Sequence, residues 1–300
     1  MLERILVPLD GSGLAARILT RLRRLLSRDD AEVEVCLLHV APRGAEVPAA
    51  VSERLERQRL ALGERGARAT VRMAAGDPAT AILEAARELE PSLIALSTHG
   101  ATGVARFVRG SVAERVLRRS RWPVLLVSPF PRNGDAELRV RRLLLPLDGS
   151  EPSTRALPLA AELAHLHGSE LLLVQVVPLR ISAGTAEGPP QLGPSMSCED
   201  AAARLEAAAS TISGVSVRWR VLVGDPAPEL LRLLEEERID LIALTSHGPS
   251  TDSPWAFGAV AEHLLRQCRC PALVVRTAGL PEEGLLAPAP ASAEPVPSGR

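Results

Sequence analysis

No lysine occurs anywhere in the sequence; all 35 basic residues are arginine. That absence excludes chemistry that needs an amine on the chain: Schiff-base formation, the Walker A lysine and the strand lysine of protein kinases. Aromatic residues are scarce, with three Phe, three Trp and no Tyr. They are too few for a platform that stacks nucleic-acid bases. The basic residues are balanced by 36 acidic ones, for a net charge of -1. A dedicated duplex-binding protein carries a large basic surplus instead, so no nucleic-acid partner is expected. No stretch approaches the roughly 18 uninterrupted apolar residues of a membrane span, so no membrane partner is expected either. The opening residues lead directly into the apolar run Ile5-Leu6-Val7-Pro8-Leu9, without signal-peptide architecture, and a cytoplasmic location is the expectation. The cysteines Cys36, Cys198, Cys268 and Cys270 make no framework. Cys36 sits in an apolar strand pattern, and no Cys or His pair stands at zinc spacing around Cys268 and Cys270. These thiols are expected to be structural or incidental, and no metal ligand is assigned.

What is present is ample. Of the 300 residues, 46% are hydrophobic and 24% charged, so the chain can bury a core, and its length suggests two domains at about 150 residues each. The chain also repeats itself. Val7-Pro8-Leu9-Asp10-Gly11-Ser12 returns as Leu145-Pro146-Leu147-Asp148-Gly149-Ser150, 138 residues later. Gly76-Asp77-Pro78-Ala79 returns as Gly224-Asp225-Pro226-Ala227, 148 residues later, as do His99-Gly100 at His247-Gly248 and Trp122-Pro123 at Cys270-Pro271. The second copy therefore holds ten extra residues, placed most economically in the Pro-, Gly- and Ser-rich stretch 178–195. So long a period means domain duplication rather than a solenoid.

Within the first copy, short apolar runs alternate with helical patterns. Strands are expected at 4–9, 32–40, 68–75, 92–97 and 123–128, and helices at 13–28, 48–65, 77–88 and 110–119. In 13–28, Leu14, Ile18, Leu22 and Leu25 form one face, and Arg17, Arg21, Arg24 and Arg28 a row read as solvated. Asp77-Pro78 reads as an N-cap with proline at the first helical position. The second copy repeats the order from about 141 to 276. Alternating apolar strands and helices mean a parallel sheet covered on both faces. The expected organisation is a domain at 1–130, a linker at 129–136, a second domain at 139–277 and a disordered tail at 278–300, rich in Pro, Ala and Glu.

In an open parallel sheet, ligands bind beyond the carboxyl ends of the strands, where strand order reverses. The candidates are therefore Asp10 after the first strand, Val40 at the end of the second, Gly76 after the third, and His99, Gly100 and Gly103 after the fourth. Gly110 and Ser111 open the next helix, whose unpaired N–H groups and dipole form an anion cradle without lysine. Arg106 and Arg109 lie in the same loop. Asp10 can equally cap a turn, and His99 reads better as a loop-orienting hydrogen bonder than as a catalyst.

Ser97-Thr98-His99-Gly100, then nine residues, then Gly110-Ser111 resembles the nucleotide loop of the universal stress protein family. That pattern is Gly, two residues, Gly, nine residues, Gly and Ser or Thr. The resemblance extends to the Val-Pro-Leu-Asp-Gly-Ser opening, Leu38-His39-Val40, Gly76-Asp77-Pro78 and Trp122-Pro123-Val124. It covers both copies. Ser97 stands where the pattern has glycine. The resemblance implies an α/β fold of two tandem, doubly wound domains, each a five-stranded parallel sheet in the order 3-2-1-4-5. It implies ATP, with or without a divalent cation. The base and ribose would lie near Asp10 and Val40, and the phosphates on Gly100, Gly103, Gly110, Ser111 and Val112. Pro8, Gly76 and His99 complete the candidate nucleotide site. It further implies edge-to-edge pairing of fifth strands, within one chain or between two chains of a homodimer. The second copy departs from the first: Thr251 replaces the glycine matching Gly103, Ala259 replaces the hydroxyl of Ser111, and Asp252 adds negative charge.

The expected function is ATP binding by a stress-response regulatory protein with unidentified protein partners, the nucleotide in the first domain and at most slow hydrolysis. No catalytic residue is assigned. A nucleotide-free interaction module of the same fold is the alternative. An enzyme that activates substrates with ATP fits less well, because Gly11-Ser12-Gly13 is a thin match to a pyrophosphate loop.

Overall fold

The computed structural model describes residues 2–26, 33–97, 111–128, 138–181, 192–246 and 258–276. The first half runs β1 (Arg4–Leu9), α1 (Gly13–Arg21), α2 (Arg23–Leu26), β2 (Glu34–Ala41), α3 (Ala49–Gly63), β3 (Arg68–Ala75), α4 (Pro78–Leu89), β4 (Leu93–Ser97), α5 (Val112–Arg119) and β5 (Val124–Val127). The second runs β6 (Arg142–Pro146), α6 (Glu151–Thr154), α7 (Leu157–His167), β7 (Glu170–Val177), β8 (Leu179–Ile181), β9 (Leu192–Pro194), α8 (Cys198–Ser210), β10 (Ser216–Val223), α9 (Pro226–Glu236), β11 (Leu241–Thr245), α10 (Ala259–Gln267) and β12 (Ala272–Val275).

Each half is a parallel sheet in the expected order, β3-β2-β1-β4-β5 and β10-β7-β6-β11-β12. The halves join at their fifth strands. β5 and β12 pair antiparallel, with Leu126 opposite Ala272, Leu125 opposite Leu273 and Val124 opposite Val274. One ten-stranded sheet results. An apolar edge left open invites association; here each half covers the edge of the other.

Strand residues alternate between two faces, and the core splits accordingly. Ile5, Val7, Leu125 and Leu273 pack under α1, α3, α7 and α8. Leu6, Val124, Leu126 and Val274 pack under α4, α5, α9 and α10. Both layers draw on both halves. The Leu2 N–H donates to Glu162 Oε1 at 2.7 Å, and Arg118 pairs with Glu262 at 3.5 Å, so polar contacts also cross the join.

Two expectations need correction. The helix expected at 13–28 breaks after Arg21, and Arg21 is buried rather than solvated. Leu25 N–H bonds back only three residues, to Leu22 O, tightening the chain, and Arg21 O accepts the Leu138 N–H at 2.8 Å. Leu138, at the start of the described second half, thus meets this end of the helix. Arg17 is exposed, and Arg28 lies outside the described residues. The excess of the second copy also divides differently. Arg4 pairs with Glu34 and Arg142 with Glu170, so two residues are missing between the first two strands of the second half. Glu34 pairs with Arg68 and Glu170 with Ser216, so twelve are added between the next two. The addition includes the small antiparallel β8–β9 hairpin within 178–195, which the repeat did not predict.

Candidate functional site

The strand order reverses between β1 and β4, which are adjacent. Pro8, Asp10, Val40, Gly76, Ser111 and Val112 all come to this carboxyl end of the sheet. The remaining candidate residues, His99, Gly100, Gly103 and Gly110, lie outside the described residues, as do Arg106 and Arg109.

The β1 turn is built by its own sequence. Asp10 Oδ1 accepts the Ser12 N–H at 2.9 Å, which closes an Asx turn. Gly11 has φ +78°, and a Cβ there would lie 2.8 Å from Val51 Cγ1, so the position requires glycine. Two side chains hold the turn from behind. His39 Nδ1 lies 2.9 Å from Leu9 O, and because a carbonyl only accepts, this nitrogen carries the proton. Arg54, on α3, donates to Gly11 O. Neither residue is among the candidates that the sequence offers. Leu38-His39-Val40 was visible as a motif, but only the fold shows that His39 pins the β1 turn. Arg54 had no sequence signal beyond Arg204 in the second half.

At the next strand end, the Gly76 N–H donates to Ala41 O at 2.9 Å. Gly76 has φ +122°, and among the described residues nothing lies within 4 Å of where a side chain would be. Asp77 then caps α4 as expected, accepting the Thr80 N–H at 3.0 Å. Arg115 on α5 reaches across to the Asp77 carboxylate at 2.8 Å. Arg115 and the two Thr80 donors hold the Asp77 carboxyl down at about 2. This ion pair ties the Gly76 turn to α5. The start of α5 is capped by Ser111, whose Oγ accepts the Glu114 N–H at 3.1 Å. The helix therefore presents a formed N-terminus at the crevice.

The second half keeps the scaffold and loses the details. Asp148 repeats the turn, accepting from Ser150 N–H at 2.9 Å, and Gly149 has φ +83°. Gln175 stands where His39 does, and Arg204 approaches Gly149 O at 3.5 Å. Asp225 caps nothing with its side chain. The donor residue Thr80 is replaced by Pro228, which has no N–H. His263 takes the place of Arg115. With Ala259 at the Ser111 position, the cap moves back to Gly258 and α10 begins one residue early.

Two doubly wound sheets, joined at their fifth strands, define a tandem α/β protein. The profile of the Universal stress protein family matches twice, over residues 1–128 and 139–276, and the chain belongs to that family. Universal stress protein MJ0531 of Methanocaldococcus jannaschii is 29% identical over 154 residues, which is 50% of this chain and 89% of that protein. Among solved structures, a universal stress protein from Archaeoglobus fulgidus superimposes with a TM-score of 0.66 at 23% identity, covering 92% of this chain and 99% of its own. A protein described as a putative universal stress protein from Pseudomonas aeruginosa gives 0.64 at 17% identity, covering 92% and 93%. The two structural likenesses extend over both halves and show the fold. Among the described residues, no helix is long and apolar enough to cross a membrane.

Proposed function

We propose that the first half binds ATP and that the chain acts as a nucleotide-dependent regulatory module in the stress response, without a committed catalytic role. The observation that supports this reading is the convergence of Gly76, with no described residue within 4 Å of its Cβ position, and the Ser111-capped start of α5 on one end of the sheet. Such a helix N-terminus suits phosphate. Asp10 and Val40, at the ends of adjacent strands, suit the ribose and base. The residues present fit the nucleotide, and no step of hydrolysis is assigned to them. Calorimetry on the intact chain tests the reading: ATP binds, and Gly110→Asp, which sets a carboxylate in the phosphate loop, abolishes binding.

One observation favours a nucleotide-free interaction module. Asp148 forms the same turn as Asp10 in a half whose loop pattern is degenerate, so the turn alone needs no ligand. Absence of ATP binding by the wild-type chain would decide for that module.

A further inference from the structure

The two outer edges of the ten-stranded sheet are β3 and β10, and among the described residues neither strand is paired on its outer side. They are the same strand of the repeat, yet their surfaces differ. On the eight-residue β10, Val217 and Val221 pack on the core layer under α1, α3, α7 and α8. Alternation puts Trp219 and Val223 on that same face, where they stay 42% and 44% exposed. Counted back from Gly224 and Gly76, the first half has Val71 and Ala75 at these two positions. β3 exposes Met73, but no aromatic residue. Large apolar groups on an open strand edge are what solitary proteins avoid, because such an edge is a template for a further strand.

The other face of β10 carries Arg218 and Arg220. Arg218 pairs with Glu170 at 2.5 Å and with Glu237 at 3.3 Å, and Arg220 with Glu237 at 3.6 Å. Arg142 draws on the same two carboxylates, at 3.8 and 3.5 Å. Two carboxylates thus serve three guanidinium groups, whose side chains are 43–48% exposed. The cluster keeps one net positive charge beside the open edge.

That charge decides the occupant. Twofold pairing of β10 with a second copy, about Trp219 or about Arg220, sets arginine opposite arginine, and like charges directly opposite are unfavourable. A strand with acidic residues on one face and apolar residues on the other suits both faces of β10.

We propose that the outer edge of β10 takes up an extended segment of a partner protein in which acidic and apolar residues alternate. The backbone of the segment continues the sheet, its apolar side chains cover Trp219 and Val223, and its carboxylates face Arg218 and Arg220. β7 separates this edge from β6, so the surface is distinct from the crevice of the second half. The proposal gives the regulatory module of the proposed function a class of partner. Its test uses no nucleotide, so the two readings fail separately.

A capped, labelled octapeptide alternating Val and Glu, with Lys in place of Glu as the control, tests this on the full-length chain. Fluorescence anisotropy is expected to show saturable binding of the acidic peptide, and hydrogen exchange to show protection of β10 amides. Trp219→Val places the first-half residue at an exposed position, and thermal melting checks its fold. It is expected to weaken binding about tenfold, as loss of an aromatic anchor does. No saturable binding, equal binding of the Lys peptide, protection of β3 in place of β10, or undiminished affinity in Trp219→Val overturns the proposal. So does a wild-type dimer that Trp219→Val disperses, which gives the edge to a second copy.

Discussion

Arg115 and Asp77, 38 residues apart, meet at 2.8 Å and bind the helix that opens onto the crevice to the Gly76 turn. The Arg115 hydrogen bond is the first cause of the low Asp77 value, about 2 against an ordinary 3.8. The folded value lies below the unfolded one, so the pair stabilises the fold above the ordinary carboxylate range and is lost as pH falls toward about 2. Both side chains are partly exposed, so the effect on neutral-pH stability is small. Arg115→Gln is expected to move the Asp77 titration up toward 3.8. Carboxyl NMR reads this directly, and an unmoved titration would remove Arg115 as the cause.

The Ser111 cap should be measurable on its own. Its Oγ satisfies the Glu114 N–H, an orphan donor of α5. Ser111→Ala is expected to lose about 1 kcal/mol of stability, and Ser111→Asn, also a good cap, to recover most of it. Urea unfolding of the three proteins checks the order. Gly258 serves as the internal reference, since it starts α10 without a side-chain cap.

The join between halves is predicted to hold without a continuous chain. Leu125 and Leu273 face each other across β5 and β12 at 1% and 0% exposure. Proteolysis within 129–136 is expected to leave two fragments that still elute together from a sizing column. Leu273→Ala opens a cavity at the centre of the sheet and should destabilise by about 2–5 kcal/mol. Fragments that separate without denaturant would show that the strand pairing is too weak to hold them.

Much of this architecture was readable, for identifiable reasons. Asp77-Pro78 announced its helix because cap and proline chemistry is local. The strand order and the fifth-strand join came from the family resemblance, since neither follows from periodicity. What stayed hidden depends on partners far along the chain. Arg21 looks solvated on a helical wheel, but Leu138 packs over its end. His39 and Arg54 act on the carbonyls of Leu9 and Gly11, and a sequence does not show backbone acceptors. The Asp225 motif repeats Asp77 letter for letter, yet its cap is void because the third residue on is Pro228.

That last contrast bears on the second crevice, which is predicted not to bind ATP appreciably. A triphosphate brings several negative charges, and donors must replace its lost hydration. The nine-residue loop of the first half supplies Arg106 and Arg109, whereas the second supplies Asp252 and loses two N–H donors to Pro249 and Pro254. The described residues add to the deficit. Ala259 offers no hydroxyl, and His263 makes no pair equivalent to Arg115–Asp77. Near the β6 turn, Gln175 Nε2 is directed at Met196 Sδ at 3.4 Å, so the residue replacing His39 is turned toward the added segment. Each lost charge-assisted hydrogen bond is worth about 1.5–3 kcal/mol. Losing two weakens binding by roughly a hundredfold or more, at about 1.4 kcal/mol per decade. Calorimetry on the intact chain is therefore expected to give one ATP per chain, and Gly110→Asp to give none. Two sites of similar affinity in the wild type, or one surviving in Gly110→Asp, would show that the second crevice binds after all.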